Sequence, residues 1–282
     1  MSFATLRPLC RCLPSTVRGL TNRTAAETVA FVMADSSETG RPFLRAEWRW
    51  LVMLNYEVDP STLAPLLPRG VELDLWEGRA IASMDGFRFL RTKVLGVPIP
   101  WHTDFDEVNL RFYVRREVRG ELRRGVVFVK EIVPKSAIAR TARTLYGENY
   151  VTHKMRHRVE PEHGIFDYEW NAHGRWNRIS ARTSGESAPL APGSEAEFTF
   201  EHYYGYTRRS AERTIEYRVN HPKWCAWAAD SCEFSADIAA LYGPQFVAPL
   251  SAKPRASFVA DGSPVTVGHG HELPISPGAG LS

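Results

Sequence analysis

A chain of 282 residues, 44% hydrophobic and 24% charged, is long enough for one large domain or two modest ones and apolar enough to bury a sizeable core. The formal charge is only +3, and basic residues alternate with acids, as at Arg119, Glu121 and Arg123, which argues against the concentrated basic face of a nucleic-acid binder. No apolar run approaches the roughly 20 residues that span a bilayer, and the four cysteines fit neither a zinc site nor a secreted disulfide framework, so no membrane segment and no metal are expected.

The first 26 residues carry Arg7, Arg11, Arg18 and Arg23, several hydroxyl side chains and no acid before Glu27. That is the composition of an organellar transit peptide. The alternative preferred here is a disordered extension with Met33 as the true start. A cytoplasmic protein is therefore expected, with a mitochondrion or another organelle as the alternative. Residues 1–40 are assigned to a disordered extension, 41–260 to a single domain, and the Gly-, Pro- and His-rich stretch 261–282 to a disordered tail.

In chain order, residues 45–58 are rich in aromatic and apolar side chains and read as a strand. Asp59 is a plausible N-cap with Pro60 at the first helical position, and Pro65 and Pro68 keep that helix short. VELDLWEG alternates into a turn, and RAIASMDGFRFLRTKVL continues as strand. Residues 107–133 read as a hairpin turned at Gly120 or Gly125. In its first arm Val108, Leu110, Phe112 and Val114 share one face, with Asn109, Arg111 and Tyr113 on the other. SAIARTARTLYG is the clearest helix, capped by Ser136 and stopped by Gly147. Five strand-like segments follow, among them EAEFTFEHYYGYTR, and then a short helix, SADIAALYG. The segment 184–196 reads as a long hairpin loop. Many strands, short turns and no βαβ periodicity predict a mostly β, antiparallel sheet system that closes or nearly closes, with a few short helices outside.

The chain has no GxGxxG after a strand, no Walker loop and no GxSxG, and no cofactor is expected. His153 and His157 are four apart, but on a strand they read as a half-buried face rather than a metal site. Lys135 sits where the second hairpin arm meets the helix. A helix N-terminus and an apolar floor both disfavour an ammonium, and a neutral amine is a nucleophile that forms Schiff bases. An anion-holding role and a solvent-facing corner are the alternatives at the same place.

The stretch DPSTLAPLLPRGVELDLWEGRAIASM resembles the early segment of the acetoacetate decarboxylase superfamily, and KEIVPKSAIA is similar to the segment that carries its Schiff-base lysine. More closely, EVNLRFYVRR, RTLYGENY, FEHYYGYTRR and VNHPKW resemble the YqjF-like DUF2071 family. The resemblance implies a cone-like barrel of acetoacetate decarboxylase type with an internal pocket. It places Lys135 at the Schiff-base position and Arg49 at the active-site arginine, with Ser136 where the decarboxylase has a second lysine. Asp85 and Glu107 are candidates, by position only, for the glutamates of the decarboxylase pocket. His221 and Trp224 are candidates for the pocket mouth, against a plain strand end.

Two functions are carried forward. One is a Schiff-base lyase acting on a small keto acid or carbonyl compound. The other is a binding protein for an anionic or carbonyl ligand without turnover. The expected partner is a small molecule, with no nucleic acid and no membrane, and self-association is left open.

Overall fold

A strand buries one face per alternate residue, so a long strand with both faces apolar must lie between two layers. Several strands of this chain have that character. The computed structural model describes residues 41–98, 102–135 and 149–273. The strands are β1 (Leu44–Glu57), β2 (Glu72–Leu73), β3 (Ile81–Val94), β4 (Val97–Pro98), β5 (Phe105–Val118), β6 (Glu121–Val133), β7 (Tyr150–Thr152), β8 (Lys154–Glu160), β9 (Ile165–Ala172) and β10 (Arg175–Arg182). They continue with β11 (Ala188–Pro189), β12 (Tyr204–Arg208), β13 (Thr214–Asn220), β14 (Cys225–Ala228), β15 (Ser231–Ser235), β16 (Ala256–Val267) and β17 (His271–Glu272).

Seven of these strands close a barrel in the order β16, β1, β3, β5, β6, β12, β13, with β13 returning to β16. Neighbours are antiparallel except at β6 and β12, which run parallel and pair Tyr204 with Gly125. Gly205 is required beside that junction, because a Cβ there would lie 2.1 Å from the Tyr217 ring. A second sheet, β15-β10-β9-β8, packs on the outer wall. Between the layers lies the main core, where Val108, Leu110 and Phe112 meet Phe166, Tyr168, Trp170 and Ile179. Each such side chain contributes about 1.5–3 kcal/mol on burial. Close approach of the layers depends on Gly86, since a Cβ there would meet Ile179 and Tyr168 at 2.9 Å.

The expected mostly β architecture with a closed barrel and few helices is what forms. The first strand and the 105–133 hairpin match their patterns, and the hairpin turns at Arg119–Gly120, both with positive φ (51° and 82°). Asp59 caps the helix Pro60–Leu63 by accepting from the Ser61 amide at 2.8 Å. The helix expected over 136–147 lies outside the described residues. Two expectations differ. Residues 195–200 are helix, not strand. Ser194 accepts from the Glu197 amide at 3.1 Å, and Glu197 accepts from the Gly193 amide, one residue before the cap, at 2.8 Å, a variant of the capping box. Residues 261–267, expected in the tail, complete β16, which pairs with β1 from Leu44 to Asn55. Val265 is buried in the inner core, which is why that segment is held as strand.

Candidate functional site

The inner face of the barrel is set by the alternation of β3 and β5. Phe87 and Phe89 on β3, and Phe105, Glu107, Asn109 and Arg111 on β5, all point inward. On β1 a bulge at Trp50 (φ 55°) interrupts the alternation, so that Trp48 and Leu51 both face in. Tyr168 donates to the Trp50 carbonyl oxygen at 2.8 Å and so ties the bulge to the second sheet.

These residues enclose a cavity of about 150 Å³. Its walls are aromatic: Phe89 stacks on Phe105 with centroids 4.5 Å apart, and Trp48 meets Phe87 edge-on at 5.5 Å. At its lower end a hydrogen-bonded chain closes the barrel. The Tyr113 hydroxyl lies 2.6 Å from Ser83 Oγ, Ser83 donates to Asn55 Oδ1 at 2.6 Å, and Asn55 donates to Glu195 at 3.1 Å.

Above this plug lies the polar floor of the cavity. Arg111 Nε is 2.6 Å from Asp85 Oδ2. Burial pushes the Asp85 carboxyl up to about 6, although the Arg111 charge opposes the shift. Glu107 accepts from Asn109 Nδ2 at 3.0 Å and from the Tyr150 hydroxyl at 3.1 Å. His202 also lines the cavity, with Nε2 3.1 Å from Asp74 Oδ2. Burial lowers His202 to about 4, so the ring is neutral near pH 7. Burial pushes Asp74 up, but hydrogen bonds from His202 and Arg124 hold it below its ordinary value. An ionised carboxylate only accepts, so the His202 proton sits on Nε2 and Nδ1 is a bare acceptor.

At the other end, His221 stacks on Trp224 at 4.1 Å and lies 4.8 Å from Tyr203. It lines the cavity and also a surface groove that contains Arg45, Arg91 and Lys93. Its Nδ1 donates to the Pro222 carbonyl oxygen at 2.9 Å, and burial lowers its pKa to about 4. Trp224 donates to Ser263 Oγ at 2.8 Å.

Of the residues singled out in the sequence, Asp85, Glu107, His221 and Trp224 come together around this cavity. Arg49 does not line it. With Ala46 and Trp48 turned inward, Glu47 and Arg49 face out, and the Arg49 guanidinium bridges Glu47 at 3.0 Å and Asp261 at 2.9 Å. Lys135 lies beyond the end of β6, two residues after the inward-facing Val133. Its amine donates to the Asp104 carbonyl oxygen at 3.5 Å, between the cavity residue His102 and Phe105 at the start of β5. Among the described residues no lysine lines the cavity, and none of their His, Cys, Asp and Glu clusters has the makings of a metal site.

Arg111, Asn109, Glu131 and His202 were not singled out as site residues. For the first two the signal was present, because both lie on one face of an alternating strand. His202 lies in a stretch, FEHYYGYTRR, whose aromatic alternation also fits plain core packing.

Comparison with known proteins agrees with this architecture. A 73-residue stretch is 40% identical to the uncharacterized protein YqjF of Bacillus subtilis (strain 168), covering 25% of this chain and 30% of that relative's length. The crystal structure of acetoacetate decarboxylase from Legionella pneumophila is similar in fold, with a TM-score of 0.59 and 16% identity over 82% of this chain and 87% of that one. The enduracididine biosynthesis enzyme MppR, complexed with pyruvate, superposes with a TM-score of 0.59 and 17% identity over 85% of this chain and 93% of that one. The DUF2071 family model, described as an uncharacterized conserved protein, matches residues 45–264, and the chain accordingly belongs to the DUF2071 family, built on the fold of the acetoacetate decarboxylases.

Proposed function

We propose that the barrel cavity takes a small organic acid, with its carboxylate on Arg111 and its apolar body against Phe87, Phe89 and Phe105. The observation that carries this reading is Arg111 itself. Its side chain is 15% exposed and lines the cavity. A guanidinium in an apolar enclosure favours a planar anion that it can grip with two donors. About 150 Å³ suits a ligand of a few carbon atoms. The similarity to an acetoacetate decarboxylase and to a pyruvate-bound enzyme supports a short acid as the ligand class. The test is calorimetric titration with a panel of short carboxylic acids and the matching amides, for the natural protein and for Arg111→Met. Binding of acids over amides that is lost in Arg111→Met supports the reading, and equal binding of both overturns it.

A second reading follows from Lys135, whose amine reaches the Asp104 carbonyl oxygen on the segment that leads into the cavity residue Phe105. In its unprotonated form the amine would attack the ketone carbon of a keto acid, a C–N bond would form, the oxygen would leave as water, and an iminium would result. Loss of carbon dioxide from a 3-keto acid would then place the electron pair in an enamine. Borohydride reduction during incubation with keto acids, followed by intact mass and peptide mapping, tests this reading. A reduced adduct on Lys135 that is absent in Lys135→Ala supports turnover. A folded, acid-binding protein without the adduct leaves the binding reading alone.

A further inference from the structure

We propose that the cavity floor is built to receive a hydroxyl group beside the carboxylate, so that the ligand is a small hydroxy acid rather than the keto acid of the same length. This deepens the reading of Arg111 and rests on it.

Three unpartnered acceptors belong to residues that line the cavity. Asp85 Oδ1, Asn109 Oδ1 and His202 Nδ1 are buried and have no hydrogen-bond partner. Their residues are only 3%, 2% and 6% exposed. The register brings them together. Asp85 and Asn109 sit directly opposite on β3 and β5, Arg111 is the next inward residue on β5, and the His202 ring lies 4.7 Å from that of Tyr113, the residue inward after Arg111.

Two of the acceptors are fixed as acceptors by their neighbours. Asn109 Nδ2 donates to the Glu107 carboxylate, which leaves Oδ1 as an acceptor facing elsewhere. His202 gives its one ring proton to Asp74. Beside them stands the Arg111 guanidinium, paired with Asp85. The other unpartnered donors of the lining are the Trp48 indole N–H and the Thr92 hydroxyl.

A keto acid offers only acceptors. It satisfies the guanidinium and leaves the other three atoms without a donor. A hydroxy acid keeps the carboxylate and adds an O–H. Buried polar groups are almost always partnered, and a site that hydrogen-bonds a ligand hydroxyl rejects the analogue lacking it. An ordered water on the floor is the competing occupant, and it would serve both ligands equally.

The test uses matched pairs, lactate with pyruvate and 3-hydroxybutyrate with acetoacetate, titrated into the full chain by calorimetry at pH 7.5. The hydroxy acid of at least one pair is expected to bind tenfold or more tightly. In Asn109→Val and in Asp85→Asn the ratio of hydroxy-acid to keto-acid affinity falls toward one. Equal or tighter binding of the keto acid by the natural protein, lost in Arg111→Met, overturns the hydroxyl site and leaves the Arg111 reading standing. Binding of no member of either pair overturns both.

Discussion

The two faces of β5 do opposite work. Val108, Leu110, Phe112 and Val114 enter the dry core beneath the second sheet, where partners from β9 and β10 cover them. Glu107, Asn109 and Arg111 line the cavity on the other side of the same backbone. The outer face is apolar and close-packed, and it supplies stability. The inner face retains buried polar atoms that packing alone would not keep, which is the mark of a site. The comparison predicts that neighbouring residues on one strand fail in different ways.

The largest effect is expected at Phe112, which is fully buried. Phe112→Ala leaves a cavity between the layers and costs about 3–5 kcal/mol, read from the urea midpoint. Acid affinity in the folded protein should not change. At the adjacent Arg111, substitution by Met leaves the Asp85 carboxylate buried without its partner. Breaking a buried pair from one side costs roughly 3 kcal/mol. The loss should be larger at pH 8 than at pH 5, because protonated Asp85 no longer needs the guanidinium. A pH-independent loss would mean that Asp85 is not held by Arg111.

Gly205→Ala tests the narrow place where the inner face has no room. The new Cβ would lie 2.1 Å from the Tyr217 ring, which must shift. Overpacking of this kind costs about 1–3 kcal/mol. Acid affinity should also fall, because Gly205 and Tyr217 both line the cavity.

The polar inner face also makes stability depend on pH. His202 and His221 are both lowered from an ordinary value of 6.5 to about 4 by burial. Between those values the unfolded chain binds more protons than the folded one, so stability rises with pH across that window. Asp85, raised from 3.8 to about 6, works the other way, since there the folded chain binds more protons. With two histidines against one carboxyl, the melting temperature should climb from pH 4 to 6.5. The climb should be steeper in Asp85→Asn and shallower in His221→Phe. The smallest effect is expected on the outer surface, where Arg213 pairs with Glu272 at 2.7 Å in full reach of solvent. Arg213→Ala should leave the urea midpoint within error.

The alternation of β5 was legible in the sequence, and so were the strand-rich architecture, the 107–133 hairpin and the short helix at Pro60. Alternation says which residues share a face. It does not say which face is enclosed. Polar side chains on one side of a strand usually mean water outside, and here they mean the inside of a barrel, because a second sheet covers the apolar side. The same limit applies to Arg49, whose direction depends on the bulge at Trp50, a local break in period that composition does not announce. The capping box at Ser194–Glu197 was present in the sequence, but the aromatic alternation after it masked the helix. His202 acquires its character from burial and from Asp74 and Arg124, which are distant along the chain and adjacent in space.

The most direct measurement is the structure of the protein with a short acid bound, either the hydroxy or the keto member of a matched pair. The account predicts the ligand inside the barrel, with its carboxylate within hydrogen-bond distance of the Arg111 guanidinium and its carbon chain against Phe87 and Phe105. A cavity holding only water, with the acid bound elsewhere or not at all, would contradict it.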